Sequence, residues 1–115
     1  MTSQVDSKTA VTLLHHLGAL QTGKLDEVML DYTEGSVLMG PERSFHGLVE
    51  IRAFFEAAVA GFPPEMLAAI ALVHQDIHGE VAYIVWKADG FVKLATDTFM
   101  IRDGKIVTQT FLMTG

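Results

Sequence analysis

Residues 95–113 read ATDTFMIRDGKIVTQTFLM, and this stretch decides the fold. Two runs rich in β-forming residues flank Asp103-Gly104. That dipeptide signals a tight hairpin, because glycine tolerates the positive φ that the turn demands. Before the turn, Ala95, Asp97, Phe99 and Ile101 alternate onto one face; after it, Val107, Gln109, Phe111 and Met113 do the same. Asp97 thus stands among apolar neighbours. A carboxylate in such company is costly to desolvate unless it is bonded or used. Asp97 is therefore read as the polar centre of a greasy concave surface.

Working outward, residues 81–87 (VAYIVWK) carry strong β formers, and Asp89-Gly90 is a second turn. Residues 66–78 are read as the strand before it, although Met66, Leu67 and Ala68 favour helix by propensity. The first half of the chain is helical. Val11, Leu13, Leu14, Leu17 and Leu20 recur at spacings of three and four over 7–22, with Gly23 as the stop. A short helix is expected over 25–31, with Leu25, Val28 and Met29 inward. Residues 32–39 read as a strand broken by Gly40-Pro41, and 41–47 as a loop or short hairpin return. The clearest helix is 48–60, with its stripe Leu48, Ile51, Phe54, Phe55, Ala58 and Val59. Gly61 caps it, and Pro63-Pro64 forbids its continuation. Residues 1–6 are polar and expected to fray. Helices followed by a consecutive meander give an α+β layout, a curved sheet wrapped around helices, in one domain over 1–115.

The chain has 115 residues, half of them hydrophobic, and a formal net charge of −6. The apolar excess suggests a cavity, a subunit interface or both. The acidic balance argues against nucleic acid, whose phosphates favour a basic face. The absence of cysteine excludes disulfides, thiolate nucleophiles and cysteine-ligated zinc. No signal-peptide pattern and no membrane-spanning apolar run is visible, so a cytoplasmic protein without membrane contact is expected.

With these elements in order, the sequence resembles the nuclear transport factor 2-like superfamily, in particular its SnoaL-like members. The resemblance rests on LQTGKLDEVMLDYTEGSVLM at 20–39, FHGLVEIRAFF at 45–55 and ATDTFMIRDGKIVTQTF at 95–111. It implies a cone: a highly curved, mainly antiparallel sheet around three helices, with a pocket at its mouth, usually in a homodimer. Fold does not decide function within this group. In ketosteroid isomerase, a base carboxylate precedes a proline on the first strand; the matching position here is Gly40, before Pro41. That enzyme's first-helix tyrosine falls on His16, and its protonated aspartate falls on Asp97. Limonene epoxide hydrolase has an arginine where Ala95 stands, and a second aspartate where Gln109 stands. The resemblance implies a pocket more strongly than any one reaction.

The residues themselves suggest roles, each beside a plainer one. Asp97 in an apolar pocket would hold its proton more tightly and act as acid–base or oxyanion donor; the alternative is a structural aspartate bonded to backbone or to a hydroxyl such as that of Tyr32. His16, between Leu13, Leu17 and Leu20, would be its partner across the cavity, or else a core histidine. His15 is expected at the surface. Gln109 would orient Asp97 or bind a ligand carbonyl. Tyr32 is a further candidate ligand contact, or plain packing. Trp86, Phe54, Phe55, Phe99, Phe111, Met39 and Met113 are expected as cavity wall or core, suited to an apolar guest. His74 and His78 lie about 13 Å apart along a strand, from about 3.3 Å per residue, so no metal site is expected. Two functions remain open. One is a cofactor-free isomerase, cyclase, dehydratase or hydrolase acting on a small apolar carbonyl compound. The other is a binding or dimerisation module of the same fold.

Overall fold

The structure is a computed structural model that describes residues 4–115. Of the expected frayed segment 1–6, the first three lie outside the described residues. Residues 4–6 belong to the first helix, where the Asp6 carboxylate accepts a 2.6 Å hydrogen bond from the Gly79 N–H.

The elements run α1 (Gln4–Gln21), α2 (Leu25–Met29), β1 (Val37–Met39), β2 (Ser44–His46), α3 (Gly47–Gly61), α4 (Pro64–Ala69), β3 (Ile70–His78), β4 (Val81–Ala88), β5 (Val92–Arg102) and β6 (Lys105–Thr114). One six-stranded sheet has the order β2-β1-β6-β5-β4-β3. It is curved, does not close on itself, and is antiparallel except where β1 runs parallel to β6. The helices pack on its concave side, and the α+β cone expected from the sequence is the fold observed.

The β5–β6 hairpin turns at Asp103 and Gly104, whose φ values of 52° and 75° fit the mirror-image turn that suits twisted strands. Ala95, Asp97, Phe99 and Ile101 face Met113, Phe111, Gln109 and Ile106 in turn. The last pair departs from simple alternation. The register shifts after Met100, so Val107 is an extra residue and Ile106 takes the inner place expected for Val107.

Three other departures have local causes. Residues 66–69 are helical, not extended. Pro64 opens α4 at a position where its missing N–H costs nothing, and Met66, Leu67 and Ala68 then follow their helix propensity. The early strand is only Val37–Met39. Before it, the Thr33 N–H donates to Ser36 Oγ and the Ser36 N–H to the Thr33 carbonyl, a local turn that competes with pairing. In α1 the buried stripe is Thr9, Thr12, Leu13, His16 and Ala19, whereas Val11 and Leu14 are largely exposed. Thr9 is retained inside because its hydroxyl donates to the Gly79 carbonyl at 2.6 Å.

The core packs Leu13, Val28, Leu38, Ile51, Phe55, Ile84, Phe99 and Ile106 between helices and sheet. A smaller cluster of Met66, Ala88, Val92 and Ala95 seats α4 on the sheet. Between the two clusters, the concave side is not filled.

Candidate functional site

The unfilled space is a cavity of about 540 Å³ bounded by α1, α3, α4 and the inner face of β4–β6. That volume lies within the usual range for small-molecule sites. Its wall is mostly carbon. Among the residues expected to line it, Phe54, Trp86, Phe99, Phe111 and Met113 do, together with His16, Asp97 and Gln109.

Asp97 is 8 % exposed. Its position follows from strand parity, with Ile84 opposite on β4 and Phe111 opposite on β6. Trp86 Nε1–H donates to Oδ1 at 2.8 Å, and the Gln109 amide donates to Oδ2 at 2.9 Å. No lysine or arginine is ion-paired with Asp97 among the described residues. Burial raises the carboxyl pKa above its ordinary value, and the two N–H donors oppose that rise only in part. Each oxygen keeps further hydrogen-bonding capacity for a ligand.

Gln109 is the hinge of this network. Its carbonyl accepts from the Tyr32 hydroxyl, so the amide is held with its NH2 toward Asp97. Tyr32 is buried behind the wall and is not part of the lining, contrary to the expected ligand contact. Burial, and next the Asp97 charge, push its phenol well above the usual value, so it remains a donor.

His16 lines the cavity from α1 and is fully enclosed. Three rings meet it edge-on: Tyr32, Phe55 and Phe99, with centroids at 5.9, 5.9 and 5.4 Å. Its Nδ1 is buried with no hydrogen-bond partner among the described residues. Burial, aided by the neighbouring charge of His15, lowers its pKa to about 4. The imidazole is therefore neutral at physiological pH, with one N–H to donate.

Met39 does not reach the cavity. It pairs with Thr110 on β6, so strand parity turns it to the outer face, whereas Leu38, opposite Gln109, is inside. Gly40 explains itself by packing: a Cβ there would lie 2.7 Å from Phe111 Cζ and 2.8 Å from Cε1. The Phe111 ring thus occupies the space that any side chain at position 40 would need.

Several lining residues were not singled out from sequence. Phe45 and Arg43, on the hairpin return, line the cavity, with the guanidinium 4.3 Å above the Phe45 ring. The one available signal was the aromatic at the second position of a short strand. Phe62, Leu67 and Ile70 line it as well; Leu67 does so from α4, which reads as strand from sequence. His15, expected at the surface, is partly exposed yet paired: Nδ1 lies 2.8 Å from Asp31 Oδ2 and Nε2 3.3 Å from Glu27.

No family model matches the sequence, and no curated protein sequence matches it. Solved structures do match in shape. A nuclear transport factor 2-like protein of unknown function from Mesorhizobium loti is 19 % identical, with a TM-score of 0.80 over 100 % of this chain and 98 % of that one. A SnoaL-like protein of unknown function from Burkholderia thailandensis is 14 % identical, with a TM-score of 0.78 over 99 % of this chain and 98 % of that one. A candidate SnoaL-like polyketide cyclase from Jannaschia sp. CCS1 is 14 % identical, with a TM-score of 0.79 over 96 % and 88 %. The chain has the nuclear transport factor 2-like fold that these structures share. Among the described residues, no helix is long and apolar enough to cross a membrane.

Proposed function

We propose that this chain binds a small apolar carbonyl compound and moves a proton on it without a cofactor, in an isomerase-, cyclase- or dehydratase-type reaction. The observation that carries this reading is Asp97: a carboxyl group in a mostly carbon-lined cavity, gripped by two neutral N–H donors and, among the described residues, ion-paired with no cation. Burial without a counter-charge brings its pKa closer to neutrality, where a general base works best. In its ionised form Asp97 takes a proton from the carbon next to the ligand carbonyl. The electron pair of that C–H bond moves onto the carbonyl oxygen, and the neutral His16 N–H stabilises the enolate. Asp97 then returns the proton to a different atom. Gln109, fixed by Tyr32, orients the carboxylate. The Jannaschia neighbour, described as a candidate polyketide cyclase, is compatible with such chemistry.

The test is exchange of α-protons of 2-tetralone into D2O, followed by NMR, with Asp97→Asn as control. Catalysed exchange that the substitution abolishes supports the reading. The filled space beside Gly40 favours the alternative, a pocket that binds without turnover. Binding of 2-tetralone without exchange would establish that alternative.

We further propose a cytoplasmic homodimer formed through the outer sheet face. Val81, Tyr83, Leu94, Met100 and Leu112 stand there substantially exposed on β4–β6. Light scattering at micromolar concentration checks this; a monomer refutes it.

A further inference from the structure

We infer that the ligand is elongated, with an apolar tail that crosses a partition made by Phe62 and Met113 into a second cavity. This rests on the proposed reading of Asp97 and extends it to the shape of the substrate. The second cavity, about 370 Å³, is a depression broadly open to solvent between the α3–α4 link and the open end of the β5–β6 hairpin, where Thr114 and Gly115 also line it. Its wall includes Pro63, Met66, Phe91 and Val92, and no charged side chain. Phe62 and Met113 line both cavities and so stand at the boundary between them.

The partition is built to yield. Methionine has three rotatable bonds and repacks at low cost. Phe62 sits in the link just after α3, outside regular structure. Met113 also stands on the inner face of β6, opposite the buried Ala95, yet it is 38 % exposed. Phe91, on the far side, is 43 % exposed. Met113 on the sheet and Phe91 in the turn before β5 thus leave apolar surface open along this route.

Distance fits a single ligand. Met113 is two residues along β6 from Phe111, which faces Asp97. At about 3.4 Å per residue, Met113 lies about 7 Å along β6 from the residue that faces Asp97. A one-ring head held at Asp97 therefore delivers its substituent to the Phe62–Met113 gap.

The structure also supplies a clean plug. Gly61 lines the second cavity but not the first, and a Cβ added there meets nothing within 4 Å. Gly61→Phe should fill the tail space and leave the head site intact.

The experiment uses 4-ethyl-, 4-butyl- and 4-heptylphenol, with binding followed by fluorescence of Trp86, the chain's one tryptophan. Affinity of the unmodified chain should keep rising from butyl to heptyl, by up to about fourfold per methylene. Gly61→Phe should remove the butyl-to-heptyl gain while leaving ethylphenol within about twofold, since no tail of that length reaches the plug. Equal affinities for butyl and heptyl in the unmodified chain would overturn the tail subsite alone. So would a heptylphenol affinity that Gly61→Phe does not change. Failure of every phenol to bind would overturn the Asp97 reading together with it.

Discussion

His16 should make stability depend on pH in a way that one substitution removes. Its imidazole is wholly enclosed and titrates near 4, against 6.5 when exposed. Below about 6.5 the unfolded chain therefore binds a proton that the folded chain refuses until about 4. A base whose folded pKa is depressed withdraws stability as pH falls through that window. At about 1.4 kcal/mol per pH unit, the loss attributable to His16 between pH 7 and about pH 4.5 is about 2.5 kcal/mol. His16→Leu keeps an apolar group of similar size among Tyr32, Phe55 and Phe99 and has nothing to protonate. Urea unfolding of both proteins at pH 7 and about pH 4.5 gives four stabilities. Contributions of other groups, such as the raised Asp97, Asp31 and His15, largely cancel in the difference between the proteins. The native chain should lose about 2.5 kcal/mol more than the variant. At pH 7 the variant should be at least as stable, because Nδ1 is buried without a partner. Parallel losses in the two proteins would refute the claim that the imidazole is enclosed and neutral.

Two further substitutions address the neighbouring packing and the polar network. Gly40→Ala places a methyl 2.7 Å from Phe111 Cζ, and Phe54, at 5.1 Å between ring centroids, limits the retreat of that ring. Urea unfolding should show a loss of about 1–3 kcal/mol, relieved by adding Phe111→Leu; an unchanged stability would show that the ring is free to move. Gln109→Leu strips the Tyr32 hydroxyl of its acceptor and Asp97 of a donor. It should cost about 1–3 kcal/mol and raise the Asp97 pKa further, because the lost N–H favoured the ionised form; a wild-type stability together with an unmoved titration would contradict the network.

The sequence carried the hairpin and the direction of Asp97 because both depend on local rules. Asp103-Gly104 fixes the turn, and a period of two sets the face. Trp86 was readable as a candidate wall residue, but its face was not, since the run 81–87 is apolar on both sides. Tertiary context decided the rest. Val107 was displaced by a bulge that depends on the partner strand. Met39 was turned outward by its parallel pairing with β6, a contact between elements some seventy residues apart. The stripe of α1 was misjudged at Val11 and Leu14 because leucines and valines occur around more than one side of it. The buried polar members, Thr9 and Thr12, carry no hydrophobic signal. Residues 66–69 show the opposite error: local propensity was right there, and the long apolar run that followed concealed it.

The most direct measurement is the titration of the Asp97 side-chain carboxyl by 13C NMR, with and without 2-naphthol. The carboxyl should titrate above the ordinary 3.8 in the free protein, with a further change when 2-naphthol fills the cavity. A carboxyl group that titrates at or below 3.8 and ignores the ligand would contradict it.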